Sequence, residues 1–140
     1  MSTSEDTKQP KWTDSIVVNF AIPSGSTGGD VVYKEIPGGY WRVIGTGGYL
    51  DSATGASDEL LIGKYDVAST TFSTAMRALS GSVAAGSTSP WGSQDSLAQL
   101  VITASNMSIS PGDNLAVVFV TPSGTVASGS LDVILAKRNP

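Results

Sequence analysis

The chain has no cysteine and no histidine among its 140 residues, and these two absences remove much chemistry. Without thiols there is no disulfide scaffold, no cysteine-ligated zinc or iron–sulfur cluster and no thiol nucleophile. Without imidazole there is no Ser–His or Cys–His dyad, no histidine zinc site and no side chain whose ordinary pKa suits general base work near neutrality. Charge is also scarce, with 14% of residues ionisable as Asp, Glu, Lys or Arg and a net charge of −4. No basic field exists to condense on phosphate, so nucleic acid is not an expected partner. No apolar run approaches the roughly 20 residues of a helical membrane span, and the opening MSTSEDTKQPKW has no signal-peptide core. The expectation is a soluble protein, made in a cytoplasm, with no membrane partner.

What the chain has in quantity is small and hydroxylated: Gly, Ser and Thr together make up 50 of the 140 residues. Ser and Thr compete with the helical backbone for hydrogen bonds, and each interior Gly costs a helix about 1 kcal/mol relative to Ala. A hydrophobic content of 40% still supports a core, and a chain of this length buries roughly two thirds of its unfolded surface. One all-β domain with many turns follows.

Residues 1–14 differ from the rest, with Glu5, Asp6, Lys8, Lys11 and Asp14, a Pro10 and one large apolar group, Trp12. They are expected to form a flexible arm ahead of a β-sandwich over residues 15–140, either an inert terminus or a peptide that orders on a partner with Trp12 as its plug. From Ser15, Ile16, Val18 and Phe20 alternate with Val17, Asn19 and Ala21, which predicts a strand that Pro23 and the Ser24–Gly29 cluster end. Further strands are predicted at Val31–Ile36, Tyr40–Ile44 and Leu60–Val67, with a break at Gly45–Gly48. Thr71–Leu79 spaces Phe72, Ala75, Met76 and Leu79 as a helix would, and is read as a short helix or irregular turn. Gly81–Ser96 reads as a long surface loop and Leu97–Thr103 as a strand. Pro111-Gly112-Asp113 is a turn launching Asn114–Thr121, and Gly129–Lys137 is expected to answer it in a terminal hairpin. Seven or eight short strands give an antiparallel β-sandwich, jelly-roll or immunoglobulin-like.

Sites of chemistry are few. The clusters at 25–29, 45–48 and 112–114 lack the Lys-Ser/Thr ending or strand–helix context of a phosphate loop, and read as hairpin turns. Asp51, Asp58, Glu59, Asp66, Asp95 and Asp113 are the interior carboxylates, and sequence pairs none of them for glycoside chemistry. Asp51, Asp58 and Glu59 share a loop, but their spacing matches no calcium motif; neither metal nor cofactor is expected. Aromatic residues are better candidates for contact. Trp41 lies mid-strand and suits a core, whereas Trp91, beside Pro90 in a Ser/Gly segment, and Tyr49 suit an exposed contact with sugar or protein.

The strand end Ile22–Gly25 (IPSG), the segment Gly29–Pro37 (GDVVYKEIP), the Gly/Ser/Ala/Thr-rich middle and the run Ile109–Arg138 resemble the small all-β head decoration or cement proteins of tailed bacteriophages, in particular marine and cyanobacterial phages. The resemblance covers Ile16 to Arg138. It implies a non-enzymatic virion protein that sits on the capsid surface, binds the major capsid protein and itself as a homo-oligomer, a trimer being favoured, and clamps neighbouring capsomers. It transfers no functional residue, so the partner-binding candidates remain Pro10, Lys11, Trp12, Tyr49 and Trp91. A carbohydrate-binding or host-recognition module of a phage tail or fibre is the alternative.

Overall fold

The computed structural model describes residues 12–22, 30–37, 39–91, 108–109, 113–120 and 128–138. Eight strands form: β1 (Trp12–Ala21), β2 (Val31–Glu35), β3 (Gly39–Leu50), β4 (Glu59–Asp66), β5 (Thr71–Ser80), β6 (Ser108–Ile109), β7 (Asp113–Val120) and β8 (Gly129–Arg138). No helix occurs among the described residues. All pairings are antiparallel, and they make two four-stranded sheets, ordered β1-β8-β3-β6 and β2-β7-β4-β5. The architecture is therefore all-β and sandwich-like. The pairs β1·β8, β2·β7, β3·β6 and β4·β5 are those of one long ribbon folded back at the β4–β5 connection. Two further pairings, β3·β8 and β4·β7, roll that ribbon into two sheets.

Alternation places the core as it should. Val18 and Phe20 of β1, Trp41, Val43 and Leu50 of β3, and Leu131, Val133 and Leu135 of β8 are buried against Leu60 and Ile62 of β4, Met76 and Leu79 of β5, and Leu115, Val117 and Phe119 of β7. Lys34 and Lys137 cover its rim, their ammonium groups 5.7 Å from the Phe20 ring centroid and 5.8 Å from that of Trp41. Each lays an aliphatic stem along apolar surface and keeps its charge near a ring face.

Four features differ from the sequence reading, each for a local physical reason. Thr71–Leu79 is strand, not helix. Two register irregularities against β4, between Leu60/Leu61 and Ile62/Gly63, make the register skip Ala78 and Ala75. Each bulge adds one residue, so the core-packed residues Ala75, Met76, Ala78 and Leu79 lose the strict alternation of a regular strand, and the i, i+3, i+4, i+7 spacing of Phe72, Ala75, Met76 and Leu79 reads like a helix.

The Gly45–Gly48 segment is no break or turn, because β3 runs through it beside β8 with a shift between Val43 and Gly45. β7 and β8 form no hairpin; they lie in different sheets. β1 opens at Trp12, opposite Arg138, so the last three residues assigned to the arm belong to the sheet. Residues 1–11, the 24–29 cluster, Asp95, the expected strand at 97–103, and the turns at 111–112 and 122–125 lie outside the described residues.

Two glycines set the distance between β3 and β8. Gly48 has φ +125°, and a Cβ there would fall 2.0 Å from the Ser130 carbonyl oxygen; Gly129 has φ +157°, and a Cβ there would fall 2.1 Å from the Tyr49 carbonyl oxygen. Both obstacles are backbone and cannot swing aside. Gly47, one residue away, has only the Asp132 side chain near, at 3.5 Å. Gly48→Ala should therefore cost about 3 kcal/mol, the upper range for a strained backbone site, and Gly47→Ala less than about 1 kcal/mol, as measured by urea unfolding of the two variants side by side.

Candidate interaction surface

Alternation that buries one face of each sheet also decides what the other face shows. On the outer face of the first sheet, register aligns rows across β1, β8 and β3. One row runs Val17–Ile134–Gly45, with the bulged Ile44 beside it; the next runs Asn19–Asp132–Gly47, and the next Ala21–Ser130–Tyr49. Val17, Ile44 and Tyr49 are 63%, 42% and 49% exposed, whereas Ile134 is half-buried. The Asn19 amide donates to Asp132 Oδ1 at 2.6 Å and to Ser130 Oγ at 2.8 Å. That pairing spends the carboxylate within the face. With Gly45, Gly47, Ala21 and Ser130 around it, the surface is low in relief: an apolar row beside a hydrogen-bonded polar one.

The second sheet shows an aromatic pair. Tyr33 of β2 and Tyr65 of β4 stack with centroids 5.0 Å apart and planes 24° from parallel. β7 lies between their strands, and the rings meet above it because Tyr33 and Gly63 both oppose Ala116, which leaves no bulk beneath. The offset stack is worth about 1 kcal/mol, and Tyr33 is still 44% exposed.

Of the residues expected to make contacts, Tyr49 is exposed on the first sheet, Trp12 begins β1, and Pro10 and Lys11 lie outside the described residues. Trp91 is a correction. It is 1% exposed and packs in the core, its indole N–H donating to the Ser87 carbonyl at 3.2 Å. Residues 81–91 are not a free loop but a strap laid along the end of β3: Leu50 N–H donates to Ser87 O (2.9 Å), Gly86 N–H to Leu50 O (2.8 Å) and Ser89 N–H to Gly48 O (3.1 Å). Thr46 and Ser89 hydroxyls also bond. The small residues around Trp91 are what let the strap lie close enough for one large ring to anchor it. Trp41 is buried as expected, donating to Pro37 O at 2.9 Å.

The loop carboxylates have separate structural tasks. Asp58 is fully buried; its Oδ2 accepts the Gly55 N–H at 2.7 Å, and its own carbonyl accepts Gly81 N–H at 2.9 Å, tying the 51–58 loop to the strap. Its Oδ1 has no partner among the described residues. Glu59 lies 3.8 Å from Arg77, and Ser128 reaches Asp51 at 3.5 Å. No group of three or more metal-ligating side chains gathers among the described residues.

The exposed Val17–Ile44–Ile134 row was not singled out as a contact by sequence reading, although its signal was present: Val17 is apolar on the face that Asn19 shares. Comparisons with protein-family models, curated proteins and solved structures find no match.

Trp91→Ala should cost about 3–5 kcal/mol, as loss of a core aromatic does, while Tyr49→Ala should change stability by less than about 1 kcal/mol. Thermal melts of the two variants separate an anchored strap from a surface platform.

Proposed function

We propose that this protein is a decoration or cement protein of a tailed-bacteriophage head, a jelly-roll domain that binds assembled capsid protein and bridges neighbouring capsomers. The observation that carries this reading is the pairing scheme. A ribbon joining β1·β8, β2·β7, β3·β6 and β4·β5, rolled by β3·β8 and β4·β7, supports the jelly-roll member of the sandwich class, an architecture that viral capsid domains use. The sequence run Ile109–Arg138 adds its resemblance to head decoration proteins. A chain without Cys or His suits a role exercised through surface. Cementing multiplies a modest contact over many copies, and binding several sites at once adds avidity wherever geometry allows it.

In this reading, residues 1–11, with Pro10 and Lys11 next to Trp12, reach the capsid protein from the edge of the first sheet, and the body sets the spacing between capsomers. β1 already engages β8 at Trp12 and Thr13, so truncation has to stop at Lys11 to leave the sheet whole. Removing residues 1–11 should leave a folded protein that no longer sediments with purified capsids, and Trp12→Ala should weaken binding by about 2–4 kcal/mol per site, as a buried hot-spot aromatic does. Undiminished co-sedimentation of the truncated protein would overturn the proposal.

A second reading, a carbohydrate-binding module, is favoured by one observation: exposed Tyr49 stands one row from the Asn19–Asp132 pair, an aromatic beside hydrogen-bonding groups. Binding on a glycan array that Tyr49→Ala abolishes would favour it over the capsid reading.

A further inference from the structure

We propose that β1 is a docking edge for a second copy of this chain, the two β1 strands pairing antiparallel about a two-fold axis at Val17. The inference concerns the isolated protein and does not rest on the capsid reading.

It starts from how the four outer strands are finished. β5 carries two bulges, β2 has five residues including Lys34 and Glu35, and β6 has only two, while the Gly48–Leu50 end of β3 beside it is overlain by the 86–89 strap. Bulges, shortness, charge and cover are the ordinary means of closing an edge to further pairing. β1 has one register irregularity, between Thr13 and Ser15, and beyond it the seven residues Ser15–Ala21 run in regular register, pair only with β8 among the described residues and hold neither charge nor proline.

The free edge has a defined hydrogen-bonding set. Ile22 N–H donates to Gly129 O at 3.1 Å, and the same register continues through Phe20↔Leu131, Val18↔Val133 and Ile16↔Leu135. In an antiparallel ladder alternate residues bond one neighbour. The even-numbered residues therefore bond β8, and Ser15, Val17 and Asn19 direct N–H and C=O outward. These same residues turn their side chains to the outer face.

A two-fold axis at Val17 satisfies this set with itself. Val17 of one copy bonds Val17 of the other reciprocally, and Ser15 bonds Asn19 in both directions. The apolar row Ile44–Ile134–Val17 then continues unbroken into its counterpart, which flanks Val17, at 63% the most exposed large apolar residue among the described residues. Charge favours a copy over an unrelated strand. The outward residues of β1 are neutral, so a charged peptide finds no counter-charge there. The closed unit is a two-fold dimer, in place of the trimer that the resemblance favours.

The absence of cysteine makes the register directly testable on the full chain. Directly opposed residues in a bonded antiparallel pair have Cα atoms about 5.5 Å apart, within disulfide reach. Val17→Cys should therefore convert to a covalent dimer under mild oxidation. Asn19→Cys, about 13 Å from its counterpart along the strands, should cross-link at least tenfold more slowly. Wild-type protein should sediment as a dimer at micromolar concentration, and Val17→Lys as a monomer with an unchanged circular dichroism spectrum. A monomeric wild type, a dimeric Val17→Lys, or equal cross-linking of the two cysteine variants would overturn the proposal. None of these results bears on whether the protein binds capsids.

Discussion

The contact between β3 and β8 is what turns a folded-back ribbon into two sheets. Without it, β1·β8 and β3·β6 would be separate pairs with no common neighbour. The approach is possible because Gly48 and Gly129 each place a bare Cα where any side chain would strike the facing strand's carbonyl. The first sheet's outer face inherits its low relief from this contact, since Gly45 and Gly47 belong to the same stretch of β3. The strap over residues 86–89 takes its bonds from Gly48 and Leu50 just beyond it. Core, flat face and covered edge all depend on one close crossing of backbones.

Where alternation is uninterrupted, the strands were legible in the sequence. Ile16, Val18 and Phe20 announce β1, and Leu131, Val133 and Leu135 announce β8, because a strand with one buried face has no other way to arrange them. Legibility failed where pairing, not patterning, sets the outcome. The bulges of β5 break the alternation of its core-facing residues, Ala75, Met76, Ala78 and Leu79, and the segment then carries no strand-like pattern of its own. Glycines at 45–48 look like a turn until β8 is beside them. Asn114–Thr121 and Gly129–Lys137 look like a hairpin because neighbours in sequence usually pair, yet each finds its partners in a different sheet.

The surface was legible in a different way. Tyr49, which follows Gly47-Gly48, is exposed as expected. Trp91 carried the same local signal, a large ring among small residues, with the opposite result: there the small residues bring the chain close enough for the ring to enter the core. A ring in a small-residue segment is therefore ambiguous until the bonds of that segment are known, and for residues 86–89 those bonds go to β3. The excluded chemistries followed from composition alone, since no fold can supply a thiol or an imidazole that the chain does not encode.

The order of the strands has a consequence for synthesis. Of the eight described strands β1 emerges from the ribosome first and β8 last, and the two are direct neighbours. Until Gly129–Arg138 has been made, β1 and β3 cannot join a common sheet, and β1 has neither of the neighbours a central strand would have. Pairings this distant along the chain are slow to form. Nascent β1, apolar on one face and unpaired on both edges, is thus the segment most in need of a chaperone's shelter before its last partner arrives.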